Sequence, residues 1–464
     1  MELHLFLYAL AQLGSYSLGR LSLDTTKITA FADVTVVPMD RERVIEHQTV
    51  LVRNGRISAI GPVKSVAVPR GAVRIDGSGK YLIPGLADMH IHLSENDEDN
   101  RSLLALYLAN GVTTVLNLNG SPRHLALRDS IARGEVLGPT IHTAGPIVND
   151  STLTFEGGQR LAVDYKAKGY EYVKVYNVLS QAGYAGIMAG AKRAGIPVIG
   201  HIVRSLGPHG LADCEPRGII CHCPTCAELS FNAGQVGVVH AEEFLYTYFD
   251  YHPTRSPKNP ADLEPQIPVL AKRVAAARVS VTPTLEAYKT ITEQIEDLEK
   301  ILARPEVAYV PPRLLQRWQR PANGYVQRYK PTDAPAFWQA YGFQEKLVKA
   351  FQAAGVRLLA GTDAGITGVV AGFSLHGDLQ DLVGAGLTPY QALRAATENP
   401  AEFLHATDEV GAVAVGRRAD LILVNSNPLT DVRNAARRAG VMVRGRWMPE
   451  AELERMLDGL KPKR

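Results

Sequence analysis

His90 and His92 stand two residues apart at the end of the apolar run Leu86 to His92, so on an extended strand both imidazoles project from one face. Paired imidazoles of this kind are good ligands for zinc and its borderline neighbours. Further residues with ligand chemistry sit within or at the end of later apolar runs. Lys174 lies inside Tyr-Val-Lys-Val-Tyr, His201 closes Pro-Val-Ile-Gly-His, His240 closes Val-Gly-Val-Val-His, and Asp363 closes Leu-Leu-Ala-Gly-Thr-Asp. Taken singly, each has a plain structural explanation. A His-x-His pair is common, and a lysine near a strand end usually snorkels to water. Together they favour a metal site, because coincidence would have to place every one of them near the end of such a run.

The lysine is the odd member. An ammonium beside two dications is repelled, so Lys174 must be neutral or converted to an anion. A carbamate formed with carbon dioxide supplies a bridging carboxylate on a long arm. Two divalent metal ions sharing that bridge, zinc being the first choice, would bring a shared water's pKa down toward ~7 and make hydroxide available as nucleophile. Asp363 then serves as ligand and as catalytic proton carrier. For substrate binding the candidates are His142, Tyr176, Arg204 and Tyr246, with Tyr248 as an alternative to the last. Arg204 reads as a bidentate fork for a carboxylate, and the others as hydrogen-bonding groups. Each tyrosine reads equally as a half-buried packing residue, and His376 as a helix-start residue.

Such residues need a scaffold that brings strand ends to one mouth. Eight apolar runs between Leu86 and Ala364 alternate with helix-length segments such as Arg101 to Asn110, Gln181 to Gly195 and Ala336 to Ala354, the last followed by Gly355. That is the pattern of βαβ units around a parallel sheet. The expected fold class is α/β, a (β/α)8 TIM barrel over residues 84–405 with its site at the C-terminal strand ends. Residues 28–83 carry turn signals at Asn54-Gly55 and Gly61-Pro62, and residues 406–464 return to strand text at Ala419 to Val424 and Gly440 to Gly445. These two segments are expected to form one discontinuous β-sandwich, with a helix at the C-terminal end. The stretch between Glu286 and Pro335, with Tyr309, Trp318, Tyr325 and Tyr329, predicts a lid or substrate wall. Residues 1–27 form an N-terminal extension. Its apolar segment, Leu3 to Leu13, is too short to span a bilayer, and Ala9-Leu10-Ala11 leaves a signal-like role open.

Composition narrows the partners. Among 464 residues, 50 Lys and Arg face 47 acidic residues, so no net field recruits nucleic acid or an anionic membrane. The expected partner is a small-molecule substrate, on a chain expected to self-assemble as a homo-oligomer. The compartment is left open, with cytoplasm ahead of periplasm or secretion. All four cysteines, Cys214, Cys221, Cys223 and Cys226, fall in one short segment, which reads either as a structural zinc loop or as a reactive, disulfide-forming one.

Several stretches resemble the amidohydrolase superfamily. Pro84-Gly85-Leu86-Ala87-Asp88-Met89-His90-Ile91-His92 resembles its first-strand signature and Gly361-Thr362-Asp363-Ala364 its last-strand aspartate. Gly386-Leu387-Thr388-Pro389, Ala395 to Pro400, and Gly416 to Leu421 are similar too. Within the superfamily the look is of the imidazolonepropionase-related group, which includes metal-dependent Xaa-Pro dipeptidases and carboxypeptidase-like amidases. The resemblance implies a barrel with a flanking β-sandwich and, where the fourth-strand lysine is present, two metals. It assigns His90 and His92 to the more buried metal, His201 and His240 to the more exposed one, Lys174 to a bridging carbamate, and Asp363 to ligand and proton shuttle. A second apolar run ending on histidine, Gly218 to His222, competes for the sixth strand, and His240 is preferred because Ala241-Glu242-Glu243-Phe244-Leu245 fits the family text after it. The expected reaction is hydrolysis of a non-ring amide C–N bond in a dipeptide, Xaa-Pro-like or N-acyl amino acid substrate. The rivals are a lactone, cyclic imide or phosphotriester at the same site, and a catalytically silent scaffold.

Overall fold

The computed structural model describes residues 28–207, 210, 223–256 and 258–461. The N-terminal apolar segment, Cys214, Cys221 and His222 lie outside these described residues. Short β-branched runs from both ends of the chain pair with one another. From the N-terminal side come β1 (Thr29–Val36), β2 (Ile45–Arg53), β3 (Arg56–Pro62), β4 (Val73–Asp76) and β5 (Tyr81–Pro84). Asn54 and Gly55, with φ of 52° and 73°, make the left-handed turn between β2 and β3. Gly61-Pro62, by contrast, ends β3 rather than turning a hairpin, with Pro62 registered against Gln48.

Next comes a series of parallel strands: β6 (Leu86–Ile91), β7 (Val112–Asn117), β8 (Thr140–Thr143), β9 (Val173–Val175), β10 (Val198–Gly200), β11 (Gly237–Val239) and β12 (Ser280–Thr282). The chain ends with β13 (Leu421–Val424), β14 (Arg438–Val443), β15 (Arg446–Pro449) and the helix Glu450–Asp458. The eight-stranded sheet runs β15-β14-β13-β5-β1-β2-β3, with β4 also on β1, so β13 against β5 joins the two ends of the chain.

The parallel strands form two ladders, β6-β7-β8 and β9-β10-β11-β12, and are buried throughout except in β8. Burial on both faces is what parallel sheets require. Isolated parallel bridges continue the ladders. Ala144 meets Tyr172, Val281 meets Leu358, and Ile91 meets Ala364. The last two put the run Val356 to Ala364 between β12 and β6. Helices return the chain between strands, among them Asp97–Ala109, Gln181–Ala194 and Ala334–Ala353. Gly195 and Gly355 follow the last two at φ 64° and 79°, the left-handed exit that glycine adopts without steric cost.

The aromatic stretch after β12 is mostly helical, with Leu285–Leu302, Pro312–Trp318 and Gly324–Arg328. Among the described residues no helix is long and apolar enough to cross a membrane.

Candidate active site

The strand ends converge as their backbone dictates. His90 closes on the last run through Asp363 N–H to His90 O, 2.7 Å, and His92 N–H to Ala364 O, 2.8 Å. Asp88, buried one step earlier on the same face, accepts from Thr362 N at 3.0 Å and Thr362 Oγ1 at 2.6 Å. This locks β6 to the run bearing Asp363. Gly361 is required there, because a Cβ would sit 2.9 Å from the His90 backbone nitrogen. Three non-glycine residues at the site take left-handed backbone: His240 (φ 70°), Thr284 (φ 52°) and Asp363 (φ 58°). Such backbone is costly, of order 1–3 kcal/mol each, and clusters at functional sites.

The side chains meet at short range. His90 Nε2 is 3.3 Å from His92 Nε2, and Asp363 Oδ1 is 3.2 and 2.9 Å from the two. His240 Nε2 lies 3.9 Å from Asp363 Oδ2, and the His201 ring centre is 4.7 Å from that of His240. Two ring nitrogens and a carboxylate oxygen so placed need positive charge among them, as protons or as a cation. His90, His92 and Asp363 together form a group able to hold a metal ion.

Neighbouring groups set the tautomers of the other two histidines. The Thr284 hydroxyl donates to Pro283 O at 2.8 Å, so at 2.7 Å it accepts from His240 Nδ1–H and leaves Nε2 as a lone pair. His201 Nδ1 donates to Glu243 Oε1 at 2.8 Å, which likewise frees its Nε2. Orientation of a ligand's second nitrogen in this way is characteristic of metal sites.

Electrostatics agree. Burial depresses His201 to about 4, against the pull of Glu243, and burial with His201 nearby takes His240 to about 3. Both rings are therefore neutral near pH 7. Burial opposes ionisation of Glu243, yet Arg204 and His201 hold it at about 2. Burial also opposes ionisation of Asp363, and His92 and its neighbours hold that carboxylate at about 2. Lys174 is 1% exposed, its Nζ has no hydrogen-bond partner, and burial lowers it to about 7 despite Asp363 and Glu243. Gly200 makes room for it, since a Cβ there would stand 3.1 Å from Lys174 Cδ and 2.2 Å from Val175 O. A buried, unpartnered amine of lowered pKa beside neutral imidazoles and an ionised carboxylate fits a divalent-cation site.

The structure brings His90, His92, Lys174, His201, His240 and Asp363 to one region, five of them lining a cavity of about 310 Å³ with His90 packed behind. An outer chamber of about 360 Å³ shares Asn149, Tyr176, His201, Glu242 and Tyr325 with it. Tyr176 stands 4.1 Å from the His201 ring and faces both chambers.

One substrate-binding expectation needs correction. His142 lines neither chamber, and its Nδ1 pairs with Glu171 at 2.8 Å. Arg204 lines the outer chamber, and its buried guanidinium is bound to Glu243, 3.2 Å at Nε, so it also positions the carboxylate that orients His201. Tyr246 lies under that guanidinium, 4.3 Å from ring centre to Cζ, and lines the outer chamber. Tyr248 packs on Phe249, and His376 is bound to Asn110 O inside the helix Phe373–Gly384. Cys223 and Cys226 form a disulfide, which leaves no thiolate from that pair for zinc. Sequence reasoning assigned no role to Asp88, Glu242, Glu243, Tyr288 or Thr284. The one available signal was the pair of acids directly after His240.

A profile of the amidohydrolase family matches residues 342–448. Over 70 residues the chain is 46% identical to a dihydroorotase from Trichlorobacter lovleyi, covering 14% of this chain and 16% of that protein. Over 250 residues it is 23% identical to an adenine deaminase from Moorella thermoacetica, covering 49% and 40%. The chain thus spans less than half the length of these two relatives. A solved Xaa-Pro dipeptidase with bound methionine has the same fold at a TM-score of 0.66, with 16% identity over 91% of this chain and 100% of the other. The profile match falls on the aspartate-bearing run and the strands after it, where part of the sequence resemblance also lies, so residues 342–448 carry the amidohydrolase-family pattern.

Proposed function

We propose that the protein is a metal-dependent hydrolase cleaving a non-ring amide bond of a dipeptide, Xaa-Pro-like or N-acyl amino acid substrate. The observation that carries this reading is the buried, unpartnered Lys174 amine among ring nitrogens whose lone pairs are turned inward. His90, His92 and Asp363 would hold one divalent cation, His201 and His240 a second, and carboxylated Lys174 would serve both. Bound cations, zinc first, supply an acidified water and polarise the amide carbonyl. Asp363, ionised across the physiological range, accepts the attacking water's proton and delivers it to the departing nitrogen as the C–O bond forms and the C–N bond breaks. Tyr176, Tyr288 and Tyr325 wall the reacting groups from bulk water.

The scaffold in this reading is a (β/α)8 barrel over 84–405, a reading supported by the isolated parallel bridges Ala144–Tyr172, Val281–Leu358 and Ile91–Ala364. A sandwich from 28–83 and 406–464 flanks it. The deaminase and dihydroorotase relatives make cyclic amides and amidines the rival electrophiles for the same groups.

A substrate panel separates them. Protein loaded with zinc and bicarbonate is expected to show a kcat/KM for dipeptides or N-acyl amino acids at least about tenfold above that for dihydroorotate, adenine, a lactone and a phosphotriester. Turnover confined to the cyclic or purine substrates would overturn the amide reading.

A further inference from the structure

Glu242 holds no cation in the reading above, and it faces both chambers. No hydrogen bond or ion pair engages its carboxylate among the described residues. Arg204, whose charge it feels, is bound to Glu243. Tyr176, Tyr246, Tyr288, Tyr325 and Tyr329 line the outer chamber with it, and aromatic faces attract cations.

Two more polar oxygens of that chamber, an amide acceptor and a hydroxyl that can accept or donate, lack partners. They are Asn177 Oδ1, on a residue 9% exposed, and Tyr288 Oη, on one 3% exposed. Buried polar atoms left unpaired are costly and rare, so groups of this kind point to a ligand that completes them. A primary ammonium offers three N–H donors and no acceptor. One carboxylate and two neutral oxygen acceptors among aromatic rings match it in sign and in number. A quaternary ammonium would leave Asn177 and Tyr288 unpaired. Arg328 also borders the chamber, but it is exposed and its charge is solvated, whereas Glu242 is held in the cavity.

We propose that Glu242, Asn177 and Tyr288 form a primary-ammonium site, so that the substrate is an amide carrying a free amine rather than an N-acylated one. This rests on the amidase reading and sharpens it, since that reading leaves the free dipeptide and the N-acyl amino acid side by side. The amine has two sources, a substrate's α-amino group or a lysine-like side chain, and the chemistry recognised is the same.

The test compares binding with turnover on the metal-loaded enzyme. Calorimetry uses three phosphonate dipeptide analogues that are not hydrolysed: one with a free α-amine, its N-acetyl twin, and an N-acetyl analogue with a lysine side chain. One of the two amine-bearing analogues is expected to bind at least about thirtyfold tighter than the N-acetyl twin, and which one does so identifies the amine's source. In Glu242→Gln that preference should fall below about threefold. Equal binding of all three by the wild type, or a preference that survives Glu242→Gln, would overturn the site. If Glu242→Gln loses metal or folds poorly, Tyr288→Phe and Asn177→Leu decide instead. Each is expected to cut the preference about fivefold, and no change in either overturns the proposal. The two readings fail separately. Selective, Glu242-dependent binding without turnover of any amide keeps the ammonium site and sinks the amidase. Turnover with equal kcat/KM for free and acetylated substrates does the reverse.

Discussion

At Lys174 two demands meet in one side chain. The strand buries the amine and leaves it no hydrogen-bond acceptor, and the chemistry requires it to be uncharged. Burial brings it to about 7, so the neutral form, the one that attacks carbon dioxide, is depleted below that pH and predominates above it. Metal-free protein given zinc and bicarbonate should accordingly gain activity faster as the pH of incubation rises from about 6 to about 8. Reconstitution that is independent of pH and bicarbonate would show that the amine is not the reacting group. Around it, Glu243 and Thr284 each accept a hydrogen bond from the Nδ1–H of a histidine and so turn the Nε2 lone pair toward the centre.

At the scale of elements, the site is made of strand ends whose backbone is forced. Gly200 precedes His201 at φ 141°, with Val175 O 2.2 Å from where a Cβ would stand. Gly200→Ala should therefore pry β10 from β9, with a loss of about 2 kcal/mol or more and a clear drop in metal affinity, read by thermal unfolding with and without zinc. Unchanged melting and metal affinity would show that the strand pair gives way easily. These strand ends were legible in the sequence because an apolar run ending on a histidine or aspartate is a local pattern, and the placement of His90, His201, His240 and Asp363 needed little more. The supports of the site were not legible in that way. Glu243 reaches back from a helix to His201, and Asp88 reaches Thr362 across 274 positions. No local periodicity reports such pairings. His142 was misread because its strand alternates. Ile141 and Thr143 are buried while His142 points to Glu171. The pairing of Arg204 with Glu243, 39 positions away, was equally out of reach of local pattern. The aromatic stretch after β12 was rightly read as a wall, but its helices carry the wall residues Tyr288 and Tyr325.

For the whole molecule, the groups that would hold metal are spread from residue 90 to residue 363, and only the completed fold brings them together. The two ends of the chain are sewn into one sheet by β5 and β13, directly beneath the first of these strands: Gly85, between β5 and β6, donates to Asp420 O at 2.8 Å. Cation binding at that site would therefore be linked to folding, because the unfolded chain offers no such site. The two-metal site is tested most simply by the metal content of freshly purified protein set against that of Lys174→Met. About two divalent ions per chain are expected in the wild type and one or fewer in the variant, with activity lost in parallel. Less than one ion per wild-type chain with no gain on adding zinc and bicarbonate, or a Lys174→Met variant that keeps both ions, would contradict it.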